Sequence, residues 1–129
     1  MSKVPADLKY TKSHEWIKDG SDGSLTIGIT DHAQEALGDI VFVEVPQKGR
    51  KLSAGETCAV VESVKAASDI YSPVAGEVLE GNAGLSDAPE KINADPYGTW
   101  ILRIKPASPV DLKALLDAKA YQQVLKDEA

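Results

Sequence analysis

The sequence predicts a mainly β fold with minor α content. Two observations carry the prediction. Short apolar runs rich in Val and Ile recur from His14 to Lys105, each bounded by Gly, Pro, Asn, Asp or Ser. After Ala107 the pattern changes to apolar residues at helical spacing.

HEWIKD (His14 to Asp19) and SLTIGIT (Ser24 to Thr30) alternate apolar and polar residues, with DGSDG (Asp19 to Gly23) between them. They read as a β-hairpin with a Gly-rich turn. DHAQEALG follows as a short helix. Thr30 or Asp31 can cap its start, Gln34 can reach back to Asp31, and Gly38 can end it. Ala33, Ala36 and Leu37 would form its buried stripe. DIVFVEVP (Asp39 to Pro46) is a β-branched strand stopped by proline. QKGRKLSAGE is a turn-rich connection.

TCAVVES (Thr57 to Ser63), ASDIYSPV (Ala67 to Val74), GEVLEGN (Gly76 to Asn82) and WILRIK (Trp100 to Lys105) complete the strands. DAPEKINADPYG reads as a loop with one helical turn. In the tail, Ser108 fits an N-cap and Pro109 the first helical position. Val110, Leu112, Leu115, Leu116, Tyr121, Val124 and Leu125 extend a helical segment over about 109–127. A chain of 129 residues predicts one domain, 1–129.

The formal charge is −6, from 20 acidic and 14 basic residues, with no Lys/Arg cluster. That argues against a nucleic-acid backbone as partner. One cysteine excludes an intrachain disulfide. No apolar run reaches membrane-spanning length, and MSKVPADLKY has no presequence pattern, so a cytoplasmic location is expected.

The stretch VESVKAASDIYSPVAGEV (Val61 to Val78) places Lys65 where two strand-like runs meet. Ser63, Ala66, Ala67 and Ser68 leave room around its stem. The tip lacks the Asn-Gly or Asp-Gly pair of the tightest hairpins. An ordinary lysine is protonated at neutral pH and a poor nucleophile. The acidic neighbours Glu62 and Asp69 are expected to hold it charged, so Schiff-base chemistry is unattractive. A covalent attachment point remains open, because a modifying enzyme supplies the activation. So does a solvated charge at a turn, which is the plainer reading of the residues alone.

His14 and His32 are the two histidines, and neither has a ligand partner at metal-site spacing. No metal is expected. Cys58 lies in an apolar strand and reads as core. Trp16 and Trp100 read as core or half-buried. No Ser/His/Asp set or phosphate-binding loop is present.

LKYTKSHEW, GITDHAQEALGDIVFVEVP, ESVKAASDIYSPVAGEV, KINADPYGTW and LLDAKAY resemble the glycine cleavage H-protein family almost end to end. The resemblance implies a barrel-sandwich hybrid of two small antiparallel sheets, with a lipoyl hairpin over about 57–74. Helices at the C-terminus would pack outside. It implies lipoate on Lys65 as N6-lipoyllysine and no catalytic residue of the chain's own. It also implies three partners. The P protein (pyridoxal phosphate) decarboxylates glycine, the T protein (tetrahydrofolate) receives the one-carbon unit, and the L protein reoxidises the arm. Lipoate-attaching enzymes would be further partners, and a monomer of bacterial, cytoplasmic type is expected.

The positions matching the family's cleft for the loaded arm are Glu15, Asp69 and Ser13, and His32, in the first turn of the helix, is a further candidate to line it. Glu15 read alone is an ordinary exposed strand carboxylate, and His32 alone a surface or capping residue. Glu62 and Glu35 are open as docking contacts or as solvated charges. Two other classes stay in view. A biotinyl or 2-oxo-acid dehydrogenase carrier would place Met or Asp beside the lysine, where this chain has Val64 and Ala66. An unmodified binding module would not need Lys65. A lipoyl relay to other enzymes is compatible with the same residues.

Overall fold

The computed structural model describes residues 4–20, 23–107 and 115–128. The order of elements is β1 (Lys9–Tyr10), β2 (Glu15–Asp19), β3 (Leu25–Ile29), α1 (Asp31–Leu37), β4 (Ile40–Glu44), β5 (Lys51–Leu52), β6 (Thr57–Ser63), β7 (Ala67–Tyr71) and β8 (Gly76–Gly81). A 3-10 turn (Ala83–Ser86), α2 (Lys91–Ala94), β9 (Leu102–Pro106) and α3 (Ala118–Glu128) follow.

The strands form two antiparallel sheets. One has six strands in the order β1-β2-β3-β9-β8-β5, the other three in the order β4-β6-β7. The sheets are not closed into a barrel. Ile17, Ile27, Ile29 and Ile104 from the larger sheet pack with Ile40, Val43, Val61 and Ile70 from the smaller. β-branched residues at alternate positions supply these contacts, because a strand sends every second side chain to the same face. A second cluster joins Leu8, Tyr10, Trp16 and Tyr121. Tyr10 and Tyr121 stack there, with centroids 4.7 Å apart.

The expected β2–β3 hairpin is present, with Asp19 opposite Leu25. Ser21 and Asp22 of its turn lie outside the described residues. In α1, Thr30 Oγ1 is the cap, accepting from the Ala33 N–H at 3.2 Å. Gln34 Nε2 donates to Asp31 Oδ1 at 2.8 Å. Gly38 ends the helix at φ 81°, ψ −152°. Ala33 and Leu37 pack on the core, but Ala36 is exposed, so the buried stripe is narrower than expected.

The two-residue strands β1 and β5 were too short to read as alternation, and both are sheet edges. The C-terminal helix differs from expectation. Residues 115–117 are not helical, and α3 starts at Ala118. Leu116 instead forms a β-bridge to Tyr10, with backbone bonds of 2.7 and 2.9 Å. Those bonds hold its backbone extended, which overrides helical spacing. The Ser108 cap and the Pro109 helix start lie outside the described residues. WILRIK enters its sheet at Leu102, two residues later than expected.

Candidate functional site

β6 and β7 pair from Thr57↔Tyr71 to Glu62↔Ala67. Ser63, Val64, Lys65 and Ala66 make the tip between them. The Ser63 N–H donates to Ala66 O at 2.7 Å. Ser63 Oγ accepts the N–H of Lys65 at 3.3 Å and of Ala66 at 3.1 Å. The same hydroxyl lies 3.1 Å from Ala66 O, to which it donates. A side chain thus closes the turn from within. No residue of the tip needs a positive φ, which explains the missing glycine.

The tip is braced from below. The Val64 N–H donates to Asp39 O at 3.1 Å. Asn93 holds the segment beneath. Its Oδ1 accepts the Ile40 N–H at 2.9 Å, and its Nδ2 donates to Gly38 O at 2.8 Å and Gln34 Oε1 at 2.9 Å. Lys65 itself is exposed. Among the described residues, neither Glu62 nor Asp69 forms an ion pair with it. Val64, at 70% exposure, is an apolar side chain held out in water next to it.

The four candidate cleft residues separate into three groups. Ser13 and Glu15 are bonded, Ser13 Oγ donating to Glu15 Oε1 at 2.6 Å. Thr11 Oγ1 donates to the same oxygen. Glu15 Oε2 accepts the Tyr71 N–H at 3.3 Å. Glu15 is only 1% exposed, so the plain exposed-carboxylate reading fails. Its carboxyl joins β2 of the larger sheet to β7 of the smaller. Asp69 is exposed on β7, opposite Val60. Period-two alternation puts it on the same strand face as Tyr71, toward the tip.

His32 stands with His14 instead. Their rings are 4.7 Å apart. His14 Nε2 lies 3.1 Å from Glu128 Oε2, and His32 Nε2 lies 4.0 Å from it. His14 Nδ1 is 2.7 Å from the Tyr121 hydroxyl, which is 2.7 Å from Thr30 Oγ1. His14 holds φ at 71°, a left-handed conformation uncommon outside glycine. Burial lowers the His14 pKa, opposed by the Glu128 carboxylate. Cys58 is buried, donates to Ile70 O, and has its thiol pushed up to about 12 by burial. It is core, as expected.

Thr11, Asn93, Tyr121 and Glu128 were not read as site residues. The partners of Asn93, Tyr121 and Glu128 lie far away in the chain, while Thr11 bonds the nearby Ser13 and Glu15, a local contact that was not read.

Residues 8–128 match the family model described as Glycine cleavage H-protein. The glycine cleavage system H protein of Aromatoleum aromaticum is 66% identical over 122 residues, covering 95% of this chain and 95% of the relative. That of Azoarcus sp. is 61% identical over 127 residues, covering 98% and 100%. The crystal structure of a glycine cleavage system H protein from Mycobacterium marinum superposes with a TM-score of 0.84 at 40% identity, covering 98% of this chain and all of that one. Two antiparallel sheets, a lysine held out on a braced tip, and this likeness define a carrier protein. The chain belongs to the glycine cleavage H-protein family.

Proposed function

We propose that Lys65 is the lipoyl-bearing residue and that the chain shuttles the one-carbon unit of glycine between enzymes. The observation that carries this reading is the exposed Lys65 on a hairpin tip closed by Ser63, in a chain of the H-protein family. The residues present fit a lipoyl group. Small side chains flank the lysine stem, and no ion pair among the described residues must break before its amine is acylated. A lipoyl group in amide linkage to Lys65 Nζ would supply a dithiolane that takes up the aminomethyl group at the P protein, yields it at the T protein and is reoxidised by the L protein.

The chain's own residues do three things. The tip holds the amine where lipoate-attaching enzymes can reach it, with Val64 as an apolar contact beside it. Asn93 and the Val64–Asp39 bond keep the tip from moving against the sheet. To a cationic amine on a folded-back arm we assign the exposed Asp69 carboxylate on β7, with the buried Glu15 and its partner Ser13 behind it, as the groups that stabilise it by charge-assisted hydrogen bonds. The enzymes supply the catalysis.

Intact mass and peptide mapping test this, on protein from cells with an active lipoate ligase. A gain of one lipoyl group on Lys65 is expected, and Lys65→Arg should abolish both the gain and glycine–bicarbonate exchange while keeping the fold. Exchange retained in that variant would defeat the proposal, and a biotinyl gain would move the chain to another carrier class.

A further inference from the structure

His14, His32 and Glu128 each offer one ligand atom, and these three atoms lie within 4.8 Å of one another. They come from the loop before β2, the first turn of α1 and the end of α3. We propose that His14 Nε2, His32 Nε2 and a Glu128 carboxylate oxygen form a binding site for a divalent cation of the zinc class, separate from Lys65.

The donor set suits that ion. Two imidazoles and one carboxylate hold zinc in tetrahedral sites that leave a fourth position for water. Bonds of about 2.0–2.1 Å place ligand atoms about 3.3 Å apart in such a site. The His14–Glu128 separation of 3.1 Å already meets that, and His32 at 4.0 Å needs only a small side-chain rotation. His32 and Glu128 side chains are 35% and 43% exposed, so they can rotate and an ion can enter from solvent.

The support behind His14 is also of the kind metal ligands have. A ligating histidine normally donates its other ring N–H to a fixed acceptor, which sets the tautomer. Here His14 Nδ1 faces the Tyr121 hydroxyl at 2.7 Å, and that hydroxyl faces Thr30 Oγ1 at 2.7 Å. With the proton on Nδ1, the chain of donors runs from His14 to Tyr121 to Thr30, and the Nε2 lone pair points at the Glu128 side. Tyr121 is fully buried and stacked on Tyr10, so this support cannot swing away. A bound ion would tie the last turn of α3 to α1 and β2.

The chain is favourable for a clean test, having two histidines and one cysteine, which is buried. Tag-free protein is stripped with chelator and titrated with zinc by calorimetry, and with cobalt by visible absorption. One zinc per chain is expected, with tetrahedral-type cobalt absorption. His32→Ala and Glu128→Gln alter a partly buried and an exposed side chain, and circular dichroism checks that each stays folded. Each should weaken binding by about tenfold or more, and the double variant should show no saturable binding. No saturable binding by the unaltered chain, or equal affinity in the double variant, overturns the site.

Discussion

Gly38 lies directly beneath the Lys65 side chain. A β-carbon built on Gly38 would sit 3.5 Å from Lys65 Cε and 4.0 Å from its Nζ. The residue that ends α1 is therefore also the floor under the Lys65 side chain.

At φ 81°, ψ −152°, Gly38 occupies backbone space that is essentially reserved for glycine. Gly38→Ala should destabilise the fold by about 1–3 kcal/mol. The added methyl group meets Lys65 at ordinary contact distance, so the cost is backbone strain and not a clash. Thermal unfolding measures it, and an unchanged Tm would show that the end of α1 can relax.

Ser63→Ala removes the acceptor for two tip N–H groups and one donor to Ala66 O. The tip is exposed, so water replaces those bonds and the cost stays near ~1 kcal/mol or less. Lipoylation of Lys65 should slow several-fold, because the tip no longer presents one conformation to the attaching enzyme. A modification rate equal to that of the unaltered chain would show that the serine brace is not needed for recognition.

Glu15→Gln keeps the volume of a buried side chain but replaces an acceptor oxygen with an amide. Glu15 accepts from Thr11, Ser13 and the Tyr71 N–H, and the amide NH2 of glutamine cannot accept. A buried N–H or O–H left unpaired costs about 1–3 kcal/mol. Urea unfolding should show a loss of that size. If the variant is as stable as the parent, the join between β2 and β7 is carried by apolar packing alone.

Alkaline pH should weaken the fold through Cys58 and Tyr10. Burial pushes the Cys58 thiol up to about 12 and raises the Tyr10 phenol, with Tyr97, Asp7 and Tyr121 adding to the second shift. In the unfolded chain these groups ionise near ~8.5 and ~10. Above those values the unfolded state has released protons that the folded state keeps, so stability falls as pH rises. The contribution is fully present below about 8.5 and is lost progressively above it. The urea midpoint should decline between about pH 9 and pH 11, and less steeply in Cys58→Ala. A slope unchanged by that substitution would remove the thiol from the account.

Much of the fold was legible locally. The alternation in β2, β3 and β6, the Thr30 cap and the Gly38 stop involve neighbours in the chain and formed there, while β7 ends at Tyr71, three residues before the Val74 expected. Lys65 stood out for the same reason, lying between two runs that had to pair. The exact start of α3 was not legible, because Leu116 answers to Tyr10 and not to its own neighbours. Asn93 gave no sign either, since its partners Gln34 and Gly38 are more than 50 residues away.

The residues alone settled where the longer strands form and that Lys65 lies between two of them, because alternation and turn chemistry act over a few residues. Packing decided the rest. It buried Glu15 between two sheets, and it brought His14 to Tyr121 across 107 residues of chain. Those contacts exist only once both sheets and α3 are docked, since burial and long-range hydrogen bonds depend on distances that sequence order does not encode.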